Sequence, residues 1–103
     1  NHLYIFFTNR GDEPERILLS TIELTDDWEN WVATDPVEIL RPEMVYEGAD
    51  LPMEVSRGGY IDVPVNQLRD PAIYQEDGKT FLLYSVAGES GIAVAEINFD
   101  DHD

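Results

Sequence analysis

Cysteine is absent from this chain, and lysine occurs once, at Lys79. Without cysteine there is no disulfide, no thiolate nucleophile and no sulfur-ligated metal, and cysteine usage leaves the compartment open between cytoplasmic and secreted. Basic residues number 6 against 22 Asp and Glu, a formal net charge of −16 at pH 7. Such a surface repels phosphate backbones and anionic lipid, so neither nucleic acid nor a membrane is an expected partner. No apolar run approaches the roughly 20 residues that span a bilayer, and no signal-peptide pattern is visible. Metal-ligand spacing, a phosphate-binding glycine loop and a Ser-His-Asp arrangement are all missing, so no metal site and no cofactor are expected. His2 and His102 sit near the ends and read as solvent-exposed. The acidic excess itself has two readings: a solvated surface that keeps the protein dispersed, or adaptation to high salt, where self-repulsion is screened.

What is present points to β structure. Hydrophobic residues make up 43% of the 103, enough for one small packed domain. Residues 3–24 (LYIFFTNRGDEPERILLSTIEL) align with residues 80–99 (TFLLYSVAGESGIAVAEINF) across one two-residue gap in the turn, and Gly11 matches Gly88. In each copy an apolar strand runs into a glycine turn. A second strand with period-two alternation follows, so each copy is a hairpin, and neither has a helical period. The segment Val37–Leu40 is short and halted by Pro42, as suits an edge strand. Residues 71–75 lead through Glu76-Asp77-Gly78, a hairpin turn signal, into the strand at 80–86 and then 91–98. The long irregular connection between the units, with Gly48, Pro52, Gly58, Gly59 and Pro64, is of a kind that usually carries function or is disordered.

The expected fold is all-β: antiparallel meander sheets amounting to about one and a half to two blades of a β-propeller, whose blades have four strands each. Residues 1–45 read as a partial blade lacking its inner strand, 46–70 as an inter-blade loop, and 71–103 as a partial blade lacking its outer strand. A chain of this kind is expected to be a C-terminal piece of a longer protein. Its uncovered faces are expected to meet the missing blades or to self-associate.

Residues 66–95 (NQLRDPAIYQEDGKTFLLYSVAGESGIAVA) resemble a blade of the five-bladed propeller glycosidases. That superfamily takes in the arabinanase and xylosidase family 43, the fructosidase family 32 and uncharacterised bacterial relatives. The resemblance runs through Arg69-Asp70-Pro71, an aromatic-ended strand, an acidic glycine turn and a strand ending in Tyr84-Ser85. The stretch from Trp28 and Trp31 to Pro42 resembles the end of another such blade. The resemblance implies a glycoside hydrolase acting on plant or microbial oligo- or polysaccharide. Its central funnel holds three carboxylates on different blades: a nucleophile or base, a general acid, and an aspartate in an Arg-Asp-Pro-like motif that orients substrate. Only the third has a counterpart here, Asp70, so the fragment alone is not expected to be active. A non-catalytic carbohydrate-binding propeller is the alternative, and a structural propeller without ligand a further one.

Strand direction places Asn66, Gln67, Arg69 and Asp70 at the same end of the blade as Gly88, Glu89, Ser90 and Gly91. The repeat adds Asn9, Arg10, Asp12 and Glu13 one blade over, and the connection with Tyr60 opens there too. Asp70 is the candidate substrate-orienting carboxylate. Arg69, Asn66, Glu89, Ser90 and Tyr60 are the candidate substrate-binding residues. Two readings of Asp70 stay open. Asp before Pro also starts turns by accepting backbone N–H bonds, and Arg69 is the natural partner to keep it ionised. Trp28 and Trp31 read as core between blades rather than sugar platforms. Tyr4, Phe6, Tyr74, Phe81 and Tyr84 read as packing.

Overall fold

The computed structural model describes residues 1–99. Six strands form two three-stranded antiparallel sheets in sequential order. The first sheet is β1 (His2–Phe7), β2 (Ile17–Glu23) and β3 (Val37–Leu40); the second is β4 (Arg69–Glu76), β5 (Lys79–Val86) and β6 (Gly91–Ile97). The only helical turns among the described residues are 3-10 segments at Trp28–Asn30 and Val45–Glu47. The expected all-β class and meander order are therefore observed, with the strands close to the expected bounds. The β4–β5 hairpin turns at Asp77 and Gly78, both with positive φ (52° and 76°). That is the twist a two-residue hairpin needs. Among the described residues β3 pairs with β2 alone, the edge position expected of it. Residues 100–103, including His102 and the acidic tail, lie outside the described residues.

The alternation along β5 decides how the sheets meet. Leu82, Tyr84 and Val86 are buried on one face and join Ile17 and Leu68 as the apolar core. Ala93, Ala95 and Ile97 of β6 pack on it from the same sheet, and Phe6, Ile39 and Leu40 come in from the first sheet. Full burial of a side chain such as Leu82 stabilises by about 1.5–3 kcal/mol. β1, which the repeat aligns with β5, comes closest instead to β4. Toward β3 and the end of β6 the sheets part around an apolar crevice lined by Phe6, Leu19, Ile39, Ile97 and Phe99. The opposite face of the second sheet carries Tyr74, Phe81, Leu83, Ile92 and Val94, by their pairing across the strands. It stands open: Ile92 is 76% and Val94 61% exposed.

Two expectations about aromatic residues are corrected. Trp28 is 69% exposed and Trp31 more than a third exposed. The indole N–H of Trp31 donates to the Thr25 carbonyl. The segment that carries them folds along the β2 edge through an Ile22–Ala33 bridge, so neither ring enters the space between the sheets. Tyr74 is also exposed rather than packed, and its hydroxyl donates to Glu76. It lies on the open face of the second sheet, which no described residue covers.

The connection between the sheets is hydrogen-bonded to both hairpin turns. Ser56 exchanges backbone bonds with Gly11 and Asp12 of the first turn, and its hydroxyl donates to the Asn9 carbonyl. On the other side, Val65 N–H donates to Ala87, Ala87 to Glu47, and Gly88 to Gln67. The buried Glu47 carboxylate accepts the N–H groups of Glu43 and Met44, each at 2.9 Å, and the Tyr84 hydroxyl at 3.0 Å. Burial, with Glu47 as its partner, raises the Tyr84 phenol well above its ordinary pKa.

Candidate functional site

The residues singled out from the sequence divide at position 69. Residues 65–69 are buried in succession, which an alternating strand does not allow, because the chain here runs through the interior before β4 begins. Arg69 is the centre of that interior. Its Nε and Nη2 donate to Gln67 Oε1 (3.0 and 2.8 Å), Nη1 donates to the Gly59 carbonyl (2.8 Å) and Nη2 also to the Arg57 carbonyl (3.1 Å). Glu15 Oε1 lies 3.3 Å from Nε, and Glu89 Oε2 lies 3.9 Å from Nη1. Glu15 also accepts the Thr8 hydroxyl, which ties the end of β1 to the start of β4. Glu89 accepts the Ile61 N–H at 2.6 Å.

This corrects the expected Arg69–Asp70 pairing. The guanidinium is spent on Gln67, Glu15, Glu89 and two carbonyls, and Asp70 faces outward. A register shift between Arg69 and Ala72 separates the two residues from regular alternation. It also absorbs Pro71, which has no N–H to give to the ladder. Asp70 sits in the left-handed region at φ 52°, although a residue before proline is sterically pushed toward extended conformations. Among the described residues its carboxylate accepts the Ser85 hydroxyl at 3.3 Å and no backbone N–H. It is therefore not the N–H-accepting turn starter of the alternative reading.

Asp70, Arg69, Glu89 and Arg10 line one cleft of about 360 Å³, together with Thr8, Glu15, Arg57, Gly58 and Gly59. A second cleft of about 320 Å³ lies on the other side of residues 57–59 and includes Tyr60, Ile61, Gln67 and Arg69. Tyr60 is 80% exposed on its rim. The structure thus brings Arg69, Asp70, Glu89 and Arg10 together and sets Tyr60 alongside. Two candidates are not brought there. Asn66 is buried and donates to the carbonyls of Ala49 and Leu51, and Ser90 donates to the Ala87 carbonyl of its own turn. Both side chains bond to backbone carbonyls. Sequence reasoning missed Glu15 and Arg57. The repeat put residues 9–13 at this end but stopped short of Glu15, and Arg57 stands in the irregular connection where no periodicity places a side chain. The Gly58-Gly59 pair beside it was the available signal.

Among the described residues no helix is long and apolar enough to cross a membrane, and no group of three or more His, Asp or Glu side chains is placed to hold a metal ion.

No family model matches the chain, and no solved structure matches it. The chain is similar to Uncharacterized protein R118 of Acanthamoeba polyphaga mimivirus, at 50% identity over 98 residues. That match takes in 94% of this chain and 28% of the relative, so the chain spans less than a third of that protein's length.

Proposed function

We propose that this chain forms two adjacent blades of a five-bladed, carbohydrate-active propeller and supplies one wall of its ligand site. The observation that carries the ligand site is Asp70. A carboxylate in a strained backbone conformation before proline, exposed on a cleft and bonded among the described residues only to a hydroxyl, has no structural need of its charge. Strain of that kind persists where the surrounding structure imposes it, commonly at functional sites. Several features support the propeller. Two meanders stack face to face, closest at β1 and β4 and parted toward β3 and β6, as blades fanning from an axis are. The exposed Ile92, Val94 and Tyr74 form the face that a further blade would cover. A relative of which the matched segment is 28% has room for the other blades.

A carboxylate held there accepts hydrogen bonds from two neighbouring sugar hydroxyls, charge-assisted contacts of about 1.5–3 kcal/mol each. One observation favours binding over cleavage within this segment. Of the three carboxylates on the cleft, Glu15 and Glu89 are committed to Arg69, and only Asp70 faces a ligand free of a cation. Glycoside hydrolysis needs a second carboxylate across the scissile bond, which other blades must provide.

Asp70→Asn tests the reading, because Asn enters the left-handed region as readily as Asp and only the charge is lost. Binding isotherms with arabinan, xylan and fructan oligosaccharides are expected to weaken tenfold or more, with the thermal midpoint unchanged. An unchanged isotherm removes Asp70 from the site.

A further inference from the structure

We propose that the cleft beside Asp70 selects a saccharide carrying a carboxylate, a uronic acid, and that Arg10 and Arg57 are the residues that select it; this rests on the carbohydrate reading above. The protein has only 6 basic residues against 22 acids, yet three of them, Arg10, Arg57 and Arg69, line this one cleft. Arg69 is neutralised by Glu15 and Glu89. Among the described residues, the guanidinium groups of Arg10 and Arg57 have neither an ion pair nor a hydrogen bond. In a chain so rich in carboxylates, two exposed arginines left without one are held from them by the architecture.

That architecture is specific. Arg57 rides on the segment that Arg69 clamps through the Arg57 and Gly59 carbonyls, and Glu89 fixes the same segment through the Ile61 N–H. Arg10 stands on the first hairpin turn, which Ser56 ties to the connection. Gly58 lets it lie there: a Cβ at position 58 would meet Arg10 Nη1 at 2.7 Å and Cδ at 3.0 Å. The two cations and the Asp70 carboxylate thus border one space on three separately anchored pieces of backbone.

The unpartnered cations select the ligand class. The lining is balanced overall, three arginines against Glu15, Asp70 and Glu89, but both glutamates are drawn to Arg69, which leaves Arg10 and Arg57 without a carboxylate. An anion of low charge fits between them. A phosphate dianion approaches against the field of the whole protein more strongly. A carboxylate accepts paired N–H bonds from arginine in a planar fork, and hydroxyls beside it donate to Asp70. A uronate carries both on one ring.

The test is calorimetric titration of the full chain with galacturonate and glucuronate oligosaccharides, with the methyl esters of the same oligosaccharides, and with inorganic phosphate. The acid forms are expected to bind at least tenfold more tightly than the esters. Arg10→Gln and Arg57→Gln should each erase most of that preference, the acid forms losing more affinity than the esters. Gly58→Ala, which removes no charge, should lower the preference by displacing Arg10. Thermal melts of each variant confirm the fold, since both arginines are exposed. Equal binding of acid and ester overturns the proposal and leaves the carbohydrate reading standing. Phosphate binding without saccharide binding overturns both the uronate and the sugar. A preference that survives in both arginine variants also overturns it.

Discussion

The protein has two interiors of opposite chemistry. Between the sheets lie Ile17, Leu82, Tyr84 and Val86, an apolar core. Under the connection lie Glu15, Glu47, Ser56, Asn66, Gln67 and Arg69, six buried polar residues. Apolar burial is non-directional and scales with area. It brings the sheets together but leaves the path of a polar connection undetermined. Hydrogen bonds are directional, and a buried group left without its partner costs about 1–3 kcal/mol. Each buried polar residue therefore demands one arrangement of its neighbours. The comparison teaches that the apolar core assembles the sheets and the polar interior sets the shape of the cleft.

The largest expected effect breaks the polar interior at its centre. Arg69→Met keeps most of the volume but strands Glu15, beside an unsatisfied Gln67 and two carbonyls. Removing one partner of a buried ion pair costs about 3–5 kcal/mol. Urea unfolding should show that loss, and adding Glu15→Gln should return part of it. A loss under about 1 kcal/mol for Arg69→Met shows that the connection does not depend on this cluster, and the comparison then fails.

The two interiors meet at Tyr84, whose ring belongs to the apolar core and whose hydroxyl donates to Glu47. Burial first, and Glu47 second, raise its pKa in the folded state. Above the ordinary tyrosine value of about 10, the unfolded chain has then released a proton that the folded chain keeps. Fewer protons are bound in the unfolded state, so stability falls as pH rises through that range. Tyrosinate absorbance should show Tyr84 ionising only together with unfolding. Tyr84→Phe should lose about 1–2 kcal/mol at neutral pH and show a shallower alkaline decline. Titration of all tyrosines within the folded protein removes Tyr84 from the shared boundary.

The sequence made one interior legible and hid the other. Period-two alternation in 80–86 and 91–98, and the glycine turns, gave the second sheet almost residue by residue, because a sheet's apolar face is written in the pattern. The polar interior has no such period. Arg69 and Asp70 are neighbours in sequence, and nearness suggested a pair. Instead the irregular start of β4 sends them apart, and Arg69 finds Glu15 and Glu89, residues distant along the chain. The same reason left Arg57 unseen and hid the bonds of Asn66 to the Ala49 and Leu51 carbonyls. Trp28 and Trp31 failed differently: apolar character was read as burial, although large apolar side chains are often exposed.

The smallest effect separates the buried charges from the surface ones. At −16, surface carboxylates repel one another across distances comparable with the screening length, about 10 Å at 0.1 M salt and 3 Å at 1 M. Raising sodium chloride from low to molar concentration should therefore raise the thermal midpoint. The gain should be modest, a few degrees for about 1 kcal/mol in a domain of this size. The Arg69 cluster is shielded from salt by burial, its side chain being 8% exposed and that of Glu15 9%. The midpoints of the native protein and of Arg69→Met should then rise in parallel, with the gap between them unchanged. A flat or falling midpoint removes both surface self-repulsion and the reading of the acidic surface as an adaptation to high salt. A gap that closes as salt rises shows that solvent ions reach the cluster, and the polar interior is then part of the surface rather than the counterpart of the apolar core.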